Sequence, residues 1–171
     1  SPEITTEIEL GAEAQFFSRR LGFDVSLYRK ISDGQIINIP IAASTGFRSV
    51  VSNFGRIENK GIEVTVNLSP VRTRDFSWDM NYTYTKNRNK VLELPEGLAK
   101  IDFSTFYDVK MVARPGQPMG AIEAPTVVMT DDGKYVATET GFYATTNEDV
   151  PMGNVQKDFI MGLNNAFTYK N

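Results

Sequence analysis

A chain of 171 residues has room for one domain, and 18 Lys+Arg against 21 Asp+Glu leave a net charge of −3 with no basic block to hold nucleic acid or an anionic surface electrostatically. Neither Cys nor His occurs, which removes disulfides, thiolate nucleophiles, Cys- or His-based metal centres and every Ser-His triad. No run approaches the roughly 18 apolar residues of a membrane-spanning helix, a test that strands of a membrane barrel would escape.

The opening Ser1-Pro2-Glu3 lacks the basic-then-apolar pattern of a signal peptide. Alternation then begins. From Glu7 to Phe16 every even position is apolar and every odd one is polar or Gly, a half-buried strand long enough to cross a bilayer when tilted. A helix would scatter Glu7, Glu9 and Glu13 around its axis. Ser18–Gly22 is a tight polar break, and Phe23, Val25 and Leu27 share a face in the next strand, so the two predict a hairpin. Ile31–Gly55, with Pro40, Gly46 and many small residues, predicts a long loop with some extended structure.

Ile62, Val64, Val66 and Leu68 define the next strand, which Ser69-Pro70 is expected to stop because Pro cannot donate to a ladder. Gly55 and Gly61, either side of Arg56–Lys60, read as ordinary turn glycines rather than a specialised bend. After the polar turn Val71–Asp75, Phe76, Trp78, Met80, Tyr82 and Tyr84 line one face of a strand opposite Ser77, Asp79, Asn81, Thr83 and Thr85. Aromatics at period two suit a core or a membrane-interface girdle better than a sugar-stacking platform. Lys86–Pro118 is predicted as a second long irregular stretch. Thr126–Thr130 and Lys134–Thr138 flank Asp131-Asp132-Gly133, a hairpin turn in which Gly supplies positive φ. A Ca²⁺ loop would need the Asp-x-Asp-x-Asp-Gly spacing, which is missing. Gly162–Asn171 closes the chain as another strand.

The reading is all-β: antiparallel hairpins, with short links at one end and long links at the other. Outer-membrane barrels show that asymmetry, and soluble sandwiches share the alternation. Three glutamates on one strand face raise the possibility of a glycosidase pair, but no second carboxylate cluster is placed by spacing. The sequons at Asn67 and Asn81 lie in or beside strands.

Several stretches together resemble a known family. Pro2-Glu3-x-Thr5-x-x-Ile8-Glu9-x-Gly11-x-Glu13-x-x-Phe16-Phe17, then Tyr28, is similar to the barrel of SusC/RagA-type TonB-dependent outer-membrane transporters. So are Asn53-x-Gly55-x-Ile57-x-Asn59-x-Gly61-Ile62-Glu63 and Phe76-x-Trp78-x-Met80-Asn81-Tyr82-Thr83-x-Thr85-x-Asn87-x-Asn89-x-Val91. Gly116-x-Pro118-x-Gly120 and Asp158-Phe159-Ile160-x-Gly162-Leu163-Asn164-Asn165 continue it, with Lys157 where Pro is expected and Met161 where Gly is common. Residues 121–152 match nothing firmly.

The resemblance implies that residues 1–171 form part of a transmembrane β-barrel of roughly 22 strands, without plug, TonB box or C-terminal final strand. It implies a Gram-negative outer membrane, contact with membrane lipid, and uptake of an oligosaccharide or peptide. A SusD-like surface lipoprotein and the TonB complex would be partners of the full-length protein. It implies no catalytic residues and no cofactor, and the composition argues against a metal and against nucleic acid. A soluble β-sandwich glycan-binding module is the alternative, and a secreted hydrolase is weaker without His or Cys. Substrate contacts are expected in the long loops, at Phe103, Phe106, Tyr107, Arg114, Phe142 and Tyr143, from loop position alone. Without the rest of a barrel around it, the sheet would have two open edges and a bare apolar face, so it is expected to fold into two layers or to self-associate.

Overall fold

A computed structural model describes residues 2–41, 43–53 and 55–170. It is all-β: β1 (Ile4–Phe16), β2 (Leu21–Asp33), β3 (Ile36–Pro40), β4 (Ser49–Asn53), β5 (Arg56–Arg72), β6 (Phe76–Glu93), β7 (Ile101–Phe106), β8 (Val109–Ala113), β9 (Ala121–Val127), β10 (Thr145–Asn154) and β11 (Ile160–Tyr169). One 3-10 turn, Ala43–Thr45, lies between β3 and β4. Two compact units form. A sheet unit contains residues 3–33, 57–89 and 157–170, and a hairpin unit contains residues 34–56 and 90–156.

The sheet unit is one antiparallel layer of five strands in the order β1-β2-β5-β6-β11. β1 and β2 pair without a break from Ile4↔Asp33 to Phe16↔Leu21, and β11 pairs β6 from Ile160↔Thr85 to Tyr169↔Phe76. Directly opposed residues share a face, so Leu10/Leu27, Ala12/Val25, Ala14/Phe23, Leu163/Tyr82 and Phe167/Trp78 lie together on it. Glu9/Tyr28, Glu13/Asp24 and Asn164/Asn81 occupy the other. The predicted faces are therefore those observed.

The links after β1 and β5 fall at one end of this sheet, and the chain leaves β2 and β6 at the other, as the link lengths predicted. The β1–β2 turn is closed by Arg20 N–H to Phe17 O at 3.2 Å. Phe17, Ser18 and Arg19 all have positive φ, between 54° and 66°, a costly conformation for residues with a Cβ. Thr73 closes the β5–β6 turn, its N–H donating to Phe76 O at 2.8 Å.

Several boundaries differ from the sequence reading. Ser69-Pro70 does not end β5, which runs to Arg72. Ser69 N–H makes its bond to Arg20 O at 2.7 Å, and a missing Pro donor so near the strand end removes only one ladder bond. Lys86–Pro118 is not irregular throughout, because β6 continues to Glu93 and β7 pairs with β8. Lys86-Asn87-Arg88-Asn89-Lys90 is polar on both faces, so alternation gave no signal there. Gly61 is inside β5, not in a turn. A Cβ there would sit 2.5 Å from Lys86 O and 2.6 Å from the Tyr28 hydroxyl, so the aromatic side chain covers a strand glycine. The final strand spans Ile160–Tyr169, and Asn171 lies outside the described residues.

Among the described residues the sheet unit is a single antiparallel layer, unlike the two stacked sheets of the sandwich alternative or of the expected two-layer collapse. Ile8, Leu10, Leu163 and Phe167 are 72%, 71%, 60% and 64% exposed.

In the hairpin unit, β10-β9-β8-β7 form an antiparallel sheet and β3 pairs with β4. Its core holds Ile39, Val91, Leu94, Ile101, Val112, Ala113, Ala121 and Ala124. Gly55, at φ 66°, lies so close to the Glu93 carbonyl that a Cβ would overlap it. Gly55 is therefore a specialised bend and not an ordinary turn glycine. The Asp131–Gly133 turn forms as expected, with Gly133 at φ 81° and Gly133 N–H bonded to Thr130 O at 2.9 Å. The strands expected on either side do not form: β9 ends at Val127, and only the isolated bridges Met129↔Tyr135 and Ala137↔Tyr143 follow.

Candidate functional site

The polar face of the sheet unit is a hydrogen-bonded surface of amides, hydroxyls and carboxylates. Asn81 Nδ2 donates to Asn67 Oδ1 at 2.8 Å, and Asn87 and Asn89 both donate to Asn59 Oδ1, at 3.1 and 2.9 Å. Tyr28 Oη donates to Asn87 Oδ1 at 3.1 Å, Gln15 Nε2 to Glu13 Oε1 at 2.8 Å, and the Ser26 and Ser69 hydroxyls to Glu9 and Asp79. Two shallow clefts open on this face. One, of about 330 Å³, is lined by Glu13, Gln15, Arg19, Asp24, Thr65 and Asn67. The other, of about 230 Å³, adds Ser69, Asp79, Asn81 and Asn164 to the shared Arg19 and Asn67. Glu13 directly opposes Asp24 across the β1–β2 pair, a like-charge arrangement that water or a polar ligand must solvate.

The apolar face ends in aromatic rings beside the short links. Trp78 stacks on Phe167 at 5.6 Å and Phe76 on Phe167 at 6.4 Å, while Phe16 meets Phe23 edge-on at 6.3 Å. Trp78 Nε1–H donates to Asn165 Oδ1 at 3.1 Å. A rim of rings that includes a Trp with its N–H satisfied suits a boundary between an apolar layer and water.

The hairpin unit carries all six residues expected to contact substrate. Phe106 and Tyr107 sit together at the tip of the β7–β8 hairpin, edge-on at 4.8 Å, and both are strongly exposed. Tyr143 packs on Tyr135 at 5.2 Å, beside the exposed Phe142. Phe103 is half-buried on β7. Arg114 is engaged within the protein. Its Nε and Nη2 donate to Glu123 Oε1 and Oε2 at 2.9 and 3.0 Å.

That bidentate pair belongs to a charged cluster the sequence did not reveal. Glu123 on β9 is 2% exposed. Lys110 on β8 donates to Asp149 on β10 at 2.6 Å. Lys100 lies 3.5 Å from Asp102, 3.7 Å from Glu123 and 3.7 Å from Asp149. Hydrogen bonding by Arg114 holds the Glu123 carboxyl below its usual range against the opposing effect of burial. The Lys110 hydrogen bond does the same for Asp149, and Lys110 and Arg114 are raised in return. The three acids and three bases are scattered between positions 100 and 149, so only strand pairing brings them together. A cleft of about 500 Å³ next to the cluster is lined by Ile39, Ile41, Val50, Leu98 and Ile101, with Lys100 and Asp102 among its polar lining residues. It too was missed, because its walls come from β3, β4 and the link before β7.

Comparison with known proteins places these features. The family model described as TonB dependent receptor-like, beta-barrel, matches residues 1–159. TonB-dependent receptor P39 of Formosa agariphila is 36% identical over 94 residues, covering 55% of this chain and 9% of that protein. TonB-dependent receptor SusC of Bacteroides thetaiotaomicron is 31% identical over 106 residues, 61% of this chain and 10% of SusC. A solved structure of the RagAB peptide transporter superposes with a TM-score of 0.77 over 98% of this chain and 20% of that one, at 19% identity, a likeness of fold. Each match spans a fifth or less of the relative's own length. The one-layer sheet with a polar and an apolar face is thus a stretch of barrel wall, and the chain belongs to the TonB-dependent receptor-like β-barrel family, with the SusC/RagA type as its kin.

Proposed function

We propose that this chain forms part of the wall and surface loops of an outer-membrane, TonB-linked importer of oligosaccharides or peptides, and that it has no catalytic role. One observation carries this reading. The sheet unit alternates cleanly between faces yet leaves Leu10 and Leu163 about as exposed as surface residues. An apolar face without a second protein layer suits lipid, and a hydrogen-bonded polar face suits a wet lumen. The hairpin unit then supplies loop surface for substrate and for a SusD-like lipoprotein, with Phe103, Phe106, Tyr107, Phe142 and Tyr143 as contact residues. Arg114 contributes through its brace to Glu123. Plug, TonB contact and the remaining strands belong to the full-length protein.

The experiment places a single cysteine at residue 9, 10, 163 or 164 of the full-length protein, free of other cysteines, and attaches an environment-sensitive fluorophore in a reconstituted bilayer. Labels replacing Leu10 and Leu163 are expected to be quenched by lipid-borne quencher, and those replacing Glu9 and Asn164 by aqueous iodide. Uniform access of iodide to all four positions would overturn the proposal.

A further inference from the structure

The apolar face of the sheet unit has two unlike rims. Beside the short links it ends in the rings of Phe16, Phe23, Phe76, Trp78, Phe167 and Tyr169. Towards the long links it ends in cations. Arg29 directly opposes Ile8 and lies two residues beyond Leu27, so it continues the apolar face of β2. Lys60 stands two residues before Ile62 on β5, and Lys86 and Arg88 stand two and four residues beyond Tyr84 on β6, all at the parity of the apolar positions.

The strands are in register at this height. Tyr28 lies against Gly61, Gly61 against Lys86 O, and Asn59 bonds to both Asn87 and Asn89. These contacts put Arg29, Lys60 and Arg88 in one row across three neighbouring strands, β2, β5 and β6, with Lys86 just inside it. The counter-charges are few. Arg29 Nε pairs with the buried Glu58 at 2.6 Å, and Arg88 Nη1 pairs with the exposed Asp158 at 3.4 Å. Among the described residues Lys60 and Lys86 have no carboxylate within ion-pair distance. Glu7 and Glu9 on the neighbouring β1 and Glu63 on β5 have the opposite parity and share the polar face with Tyr28, while Asp33, at the parity of Arg29, stands four residues further along β2.

A row of cations just beyond a lipid-facing apolar band meets the layer in which lipid headgroups lie. Each Lys or Arg close to an anionic bilayer surface gains appreciable binding free energy, and guanidinium forks fit phosphate oxygens in pairs. The pattern of apolar residues also fixes the depth. Leu10, Leu27 and Ile62 hold the band immediately inside the row, so these long side chains reach outward along it with their charged ends in the headgroup layer. We propose that Arg29, Lys60, Lys86 and Arg88 form a belt that selects phosphate-bearing lipid headgroups in the leaflet beside the long links. The belt rests on the reading of this sheet as lipid-facing barrel wall.

The full-length protein, with one fluorophore on a cysteine replacing Leu10, would be reconstituted in mixtures of phosphatidylcholine with brominated phosphatidylcholine or brominated phosphatidylglycerol. Quenching by each brominated lipid gives its relative affinity for the surface around the label. Phosphatidylglycerol is expected to be preferred severalfold, the preference is expected to fall with each of Lys60→Gln, Lys86→Gln and Arg88→Gln, and the triple variant is expected to lose most of it. Arg29 is left intact, because it also pairs with the buried Glu58. Equal quenching by the two lipids in the unmodified protein, or a preference unchanged in the triple variant, would overturn the belt while leaving the wall in place. Absence of quenching by either lipid would overturn both.

Discussion

In the sheet unit, Leu10 and Leu163 remain 71% and 60% exposed although their strands pair without a bulge. In the hairpin unit, whose sheet carries register shifts, Val91 and Val112 are wholly buried and even Glu123 is 2% exposed. Regular hydrogen bonding and burial are therefore separable. A strand ladder satisfies the backbone whether or not a side chain finds cover, so a regular sheet can leave its apolar face for a solvent other than water. An irregular set of hairpins has no such solvent and must build a core and pair its own charges.

The sharpest way to break that comparison is to charge the bare face. Leu163→Lys is expected to cost about 2–4 kcal/mol in a bilayer, whereas Asn164→Lys next to it, on the polar face, is expected to change little. Denaturant unfolding of the reconstituted full-length protein measures both, and equal costs would mean that the two faces see the same medium.

In the hairpin unit the largest effect falls on the backbone. Gly55→Ala places a Cβ on the Glu93 carbonyl at a φ of 66°, and about 2–3 kcal/mol of local stability should be lost. Amide exchange across β4 and the end of β6 would show it as faster opening. Unchanged protection would mean that the two segments do not approach closely.

Glu123→Gln tests the charged brace. Arg114 would lose a bidentate partner that is almost fully buried, and about 2 kcal/mol is expected to go from the β8–β9 pair. The same brace has a pH signature. The folded Glu123 carboxyl is held below its ordinary range by Arg114, so its contribution is complete above the unfolded carboxylate pKa and is lost as pH falls through the lower folded value. Amide exchange along β9 should therefore quicken in acid, and Glu123→Gln should flatten that response. Identical acid profiles for the two proteins would remove Glu123 from the account.

The smallest effect belongs to the exposed pair Arg88–Asp158. Asp158→Asn is expected to change stability by less than about 0.5 kcal/mol, because solvent screens both partners. A larger loss in the denaturant experiment would show that this rim is not open to water.

Where alternation was strict, from Glu7 to Phe16 and from Phe76 to Thr85, strand and face were readable from single residues, whereas the pairing of β6 with β11 was not. Gly61 was misread because its neighbours resemble a turn, and the reason for a glycine is the Tyr28 side chain on another strand. The exposed pairs Phe106–Tyr107 and Phe142–Tyr143 were visible as loop aromatics, whereas the commitment of Arg114 to Glu123 was not, since nothing local to either residue announces the other.

By itself the sequence determined the all-β class, the two faces of the wall, the short-link and long-link ends, and the family resemblance. Each of these follows from spacing within a strand or from motifs along it, and a period of two is a local property of extended backbone. Tertiary structure alone decided the cluster of Lys100, Lys110, Arg114, Glu123 and Asp149, the aliphatic cleft beside it, and the row of Arg29, Lys60 and Arg88. Those depend on the register between strands far apart in the chain, which is fixed by pairing energy summed over whole ladders rather than by any one residue.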